Sequence, residues 1–118
     1  MNVLVLCWKI IRNGCCAVLP LDLKYTLMSK TELENLLTEY QVKELYYHPE
    51  VFDCDDYAWV FKGMASRKKL QAVGLVVGWR HGLHCWNIAV TREGIYWIEP
   101  QTGRYDLKGG YKPWLVII

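Results

Sequence analysis

The stretch from His84 to Gln101 constrains this chain more than any other. Two runs, 84–91 and 94–101, carry alternating apolar residues and flank Thr91-Arg92-Glu93-Gly94. That pattern predicts a β-hairpin. With Arg92 and Glu93 as a two-residue loop, Thr91 pairs with Gly94, Trp86 faces Glu99 and His84 faces Gln101. Side chains alternate along a strand, so His84, Trp86, Ile88 and Val90 share a face with Ile95, Trp97, Glu99 and Gln101. Glu99 is then the diagonal neighbour of His84, close enough for a hydrogen bond. A one-residue slip would part them.

Other segments extend this frame. Ala72 to Trp79 is rich in Val, Leu and Gly and reads as a buried strand, and Trp114 to Ile118 supplies a last one. Before them lie two helices. The first begins near Ser29 to Thr31, where Thr31-x-x-Glu34 has the form of a capping box. Leu33, Leu36, Leu37 and Tyr40 then form one apolar stripe. The second starts at Cys54 with Asp53 as N-cap, and it ends near Arg67. Tyr46 to Val51 reads as a loop around Pro49. The first twenty residues predict a hairpin turning at Asn13-Gly14, although their continuous apolar runs also suit a short helix. Helices first and strands after predict one α+β domain over residues 1–118, with N-terminal helices packed on an antiparallel sheet.

Charge and cysteine usage exclude several classes. A formal net charge of +2 argues against a nucleic-acid partner bound through phosphates. Nothing approaches the ~20 apolar residues of a membrane span, so no membrane partner is expected. The N-terminus lacks the basic region of a secretory signal. Five cysteines, an odd number without repeating spacing, point to a reducing compartment, and a cytoplasmic location follows. The oligomeric state is left open.

Cys54 is the best candidate for a reactive centre. A free thiol has a pKa of about 8.5, and a helix N-terminus favours its anion. Asp55 and Asp56 oppose that anion, so a cationic partner is required. His84 fills the role if Glu99 orients its imidazole, as the third member of a triad does. The zinc reading of His81, His84 and Cys85 fails, because neighbouring strand residues point to opposite faces. No metal site is assigned.

Cys54-Asp55-Asp56-Tyr57-Ala58, His84-Cys85-Trp86-Asn87 and Ile98-Glu99-Pro100-Gln101-Thr102, in that order, resemble the papain-like cysteine-protease domain at the C-terminus of mushroom agglutinins of the Marasmius type, and its bacterial and phage relatives. The resemblance covers roughly residues 20–103. It implies a papain-like or transglutaminase-like fold, Cys54 as nucleophile, His84 as general base and acid, and Glu99 as orienting carboxylate. Gln101 would assist near the oxyanion or orient the substrate, with Trp86 and Asn87 as further substrate-side candidates. The resemblance also brings in calcium, which makes Asp53, Asp55 and Asp56 worth watching without assigning them as ligands; no other cofactor is implied. The chain departs from the family in having Cys85 after His84, where a small residue is expected, and in lacking a Gln before Cys54.

The resulting expectation is a cysteine hydrolase, a peptidase or other amidase, acting on a peptide or protein through an acyl-enzyme. Two alternatives stand beside it. One is a non-enzymatic interaction module on a papain-like scaffold; the other is an acyltransferase or deamidase with the same triad. The bland reading of each candidate is structural: Cys54 as core, Asn87 bonding backbone, the Asp trio as helix N-terminal charge.

Overall fold

The N-terminal segment is a helix, not a hairpin. In this computed structural model, which describes residues 1–40, 48–50, 52–107 and 109–118, helix α1 runs from Val3 to Arg12. Asn2 caps it, its Oδ1 accepting from the backbone N–H groups of Leu4 at 2.8 Å and Val5 at 3.3 Å. Asn13 and Gly14 end the helix, with N–H groups returned to Lys9, Ile10 and Ile11 carbonyls. Gly14 has φ +106°. A positive-φ glycine terminates a helix as readily as it turns a hairpin, and the continuous apolar run decided between them.

Strand β1, Ala17–Leu19, then pairs in parallel with the last strand, β6, Lys112–Ile117. Between them in sequence lie helix α2, Lys30–Glu39, and helix α3, Cys54–Arg67. Strands β2, Val73–Trp79, β3, Leu83–Val90, β4, Ile95–Glu99, and β5, Arg104–Tyr105, follow. The six strands form one sheet in the order β1-β6-β2-β3-β4-β5. The class is α+β as expected, but the sheet is mixed because of β1, and that strand precedes two of the helices. The capping box of α2 joins Ser29 and Glu32 instead of Thr31 and Glu34. The two motifs overlap, and the earlier one captured the helix start. Of the predicted 46–51 loop, residues 46, 47 and 51 lie outside the described residues.

Helices cover both faces of the sheet. On one side Leu6 and Ile10 of α1 pack with Val76, Trp86, Ile88 and Val116. On the other, Leu33 and Leu36 of α2 and Phe61 and Ala65 of α3 pack with Val73, Ala89 and Ile98. Asn87, fully buried, donates from Nδ2 to the carbonyls of Ala58 and Gly74, each at 3.0 Å, and ties α3 to β2. Gly78 lets the sheet close around Trp86. A Cβ there would come within 2.6 Å of the indole and 2.2 Å of the Lys112 carbonyl oxygen. Among the described residues no helix is long and apolar enough to cross a membrane.

Candidate functional site

The hairpin of β3 and β4 has the expected register, with Asn87 opposite Ile98, Ile88 opposite Trp97 and Val90 opposite Ile95. His84 and Glu99 therefore meet on one face. A carboxylate only accepts, so the imidazole Nε2–H donates to Glu99 Oε2, at 2.8 Å. Tyr111 donates its hydroxyl to the same oxygen at 3.1 Å. The His84 and Glu99 side chains are only 17% and 9% exposed, which shields the pair from water and strengthens it. Two aromatic rings hold the imidazole in place. Trp86 stacks on it at 5.8 Å, and Tyr111 lies 6.2 Å away. Arg80 in turn sits 4.2 Å over the Tyr111 ring.

Glu99 also lines an open cleft of about 470 Å³, with Arg80, Arg104, Tyr105, Asp106 and Tyr111 among the surrounding side chains. Its second oxygen, Oε1, is buried and has no hydrogen-bond partner among the described residues. Sequence reasoning missed Tyr111, Arg80 and Arg104. Tyr111 follows Gly109-Gly110 in an irregular stretch, so no periodicity marked it. Gln101 lies in the turn after β4, which ends at Glu99, so the expected pairing of Gln101 with His84 is not formed. Trp86 and Asn87 are wholly buried in the core and reach no solvent.

Cys54 opens α3 as predicted, but its surroundings are different. It packs with Ala58, Leu75 and Cys85, on the sheet face shared by α3. Its side chain joins the same cluster as the buried Cys85. Burial, helped by Cys54 and by the charge of Asp55 and Asp53, pushes the Cys85 thiol up to about 12. His84, one residue earlier on β3, projects to the opposite face. Among the described residues no hydrogen bond joins Cys54 to His84. At the same helix start, the Asp53 N–H donates to Asp56 Oδ2 at 3.1 Å. The carboxylates of Asp53, Asp55 and Asp56 come within 4.8 Å of one another, and they are the residues that could hold a cation. A hydrogen bond to Asp55 raises the Asp53 carboxyl above its usual range. Helix N-termini attract acidic residues without any ion.

No family model matches the chain, and no curated protein matches it. Solved structures do. Over its whole length the chain superposes on 51% of PSL1a in a structure described as the PSL1a-E64 complex, with a TM-score of 0.87 and 20% identity. The chain has the fold of part of a mushroom lectin. Polyporus squamosus lectin, bound to the human-type influenza-binding epitope Neu5Aca2-6Galb1-4GlcNAc, matches 80% of the chain over 39% of its own length, with a TM-score of 0.66 and 24% identity. The chain thus spans about half, or less, of the structures it resembles. At these identities the likeness is one of fold. The likeness to mushroom agglutinins holds at that level, without support for a papain-like protease domain. The expectation of a cysteine hydrolase, a thiol protease with a catalytic triad, is corrected accordingly. One structure that shares the fold is described as a lectin bound to a saccharide epitope, and Cys54 packs in the cluster of Ala58, Leu75 and Cys85.

Proposed function

We propose that this chain is a non-enzymatic binding module whose ligand is a saccharide. This is the interaction-module alternative drawn from the sequence, on what we take to be a papain-like scaffold. The observation that carries it is Glu99. His84 and Tyr111 both donate to Oε2 and fix the carboxylate at the wall of the cleft. Arg80 and Arg104 offer donors to hydroxyl or carboxylate oxygens of a sugar, and the rings of Tyr105 and Tyr111 offer apolar faces to its C–H groups. One lectin that shares the fold is described as bound to a sialylated trisaccharide, which supports this ligand class. In this reading His84 and Glu99 position the ligand, and Cys54, packed beside Cys85 on the other face of the sheet, takes no part.

Titration calorimetry with Neu5Aca2-6Galb1-4GlcNAc and a panel of neutral oligosaccharides tests the proposal. At least one ligand is expected to bind, and Glu99→Gln is expected to weaken it about tenfold, the loss of one charge-assisted hydrogen bond. Absence of binding across the panel, or binding indifferent to Glu99→Gln, would remove the site from consideration.

A further inference from the structure

A second cluster lies on the other face of the sheet and is independent of the saccharide reading. Cys54 and Cys85 belong to different elements, the start of α3 and strand β3, yet their side chains pack into one cluster with Ala58 and Leu75. They are unequal. Cys54 is partly exposed, whereas Cys85 is buried among Ala58 and Leu75. Both are free thiols. Cys15, by contrast, donates to the Ala17 carbonyl at 3.1 Å and packs in the core beneath α1, away from this pair.

We propose that Cys54 and Cys85 are a dithiol pair that a hydroperoxide converts into an intramolecular disulfide. Cys54 is the attacking group because, of the two, it alone is accessible to a peroxide. Its thiolate attacks one peroxide oxygen and the O–O bond breaks. Hydroxide leaves, or alkoxide from an organic hydroperoxide, and Cys54 becomes a sulfenic acid. Cys85 then attacks the Cys54 sulfur as its proton passes to the departing hydroxyl. An S–S bond forms and water is released. The two thiols lose two electrons in all, and the hydroperoxide takes them up. Cys85 is the resolving group because burial keeps it protonated until an electrophilic sulfur lies against it. The product links the start of α3 to β3 and is reversible by a dithiol reductant.

The full chain, treated with a few equivalents of hydrogen peroxide at pH 8 and then blocked with iodoacetamide, is digested without reduction and analysed by mass spectrometry. A cross-linked peptide containing Cys54 and Cys85 is expected, absent after dithiothreitol. In Cys85→Ser, dimedone is expected to trap the sulfenic acid at Cys54. Conversion of Cys54 to its sulfinic acid while Cys85 remains alkylatable would overturn the proposal. So would a disulfide joining Cys54 to any other cysteine. The wild-type digest decides the matter even if the variant does not fold.

Discussion

The two faces of β3 carry two kinds of polar arrangement, although the residues alternate along one strand. On the α1 side, His84, Glu99 and Tyr111 form a hydrogen-bonded group at the wall of an open cleft. On the α3 side, Cys85 and Asn87 are enclosed, the one against Cys54 and the other against backbone carbonyls. One residue of register separates a surface able to meet a ligand from a seam that joins helix to sheet. Proximity in sequence on a strand is therefore poor evidence for a shared site, whereas diagonal position across a hairpin is good evidence.

Four measurements would break or sharpen this contrast. The largest effect is expected where the two faces share a foundation. Trp86, wholly buried beneath His84, should cost about 3–5 kcal/mol on truncation to alanine, read from urea denaturation. Because the imidazole loses its stacking partner, saccharide binding should fall as well. Asn87→Ala should cost about 1–3 kcal/mol by stripping the Ala58 and Gly74 carbonyls of their donor. If Asn87 serves only the seam, ligand affinity in the variant that remains folded should be unchanged.

Tyr111→Phe should act on the other face alone. It removes one of two donors to Glu99 Oε2, so saccharide affinity should drop several-fold while stability changes by about 1 kcal/mol or less. Equal losses in both would mean that Tyr111 belongs to the core.

The smallest effect concerns pH. Burial pushes the Cys85 thiol up to about 12, whereas an unfolded thiol ionises from about pH 8.5. Above that value the unfolded chain binds fewer protons than the folded one, so stability declines as pH rises. Cys15, also raised by burial, adds in the same sense. Denaturation midpoints at pH 8 and pH 9.5 should therefore differ less in Cys85→Ala than in the wild type. A further check bears on Cys54 itself. Iodoacetamide labelling near pH 6 faster than that of a free thiol would indicate an activated nucleophile, contrary to the binding-module reading.

Local patterns were decisive where a single element carried the signal. The β3–β4 register follows from alternation and a two-residue loop, and it brings His84 to Glu99. Asp53 and Cys54 mark the start of α3, and Arg67 its end, because capping and helical periodicity are local physics. Local patterns were equivocal where two elements use the same residues. Asn13-Gly14 serves a helix end here, and Ser29 displaced Thr31 at the start of α2.

Tertiary structure decided the rest. No periodicity in Ala17 to Leu19 announces parallel pairing with β6, nearly a hundred residues later in the chain. Nor does any spacing bring Tyr111 to Glu99 or Arg80 over Tyr111. The most consequential case is Cys54. Its position at a helix start was readable in the chain, but which face of β3 that start approaches depends on how α3 lies on the sheet. The Asn87 bond to Ala58 and the packing of Ala58 on Leu75 set that placement, and they put Cys54 against Cys85. Sequence determined the elements and one pair across a hairpin. Docking of a helix on a sheet, a matter of side-chain volume and buried hydrogen bonds distant in the chain, determined which groups meet.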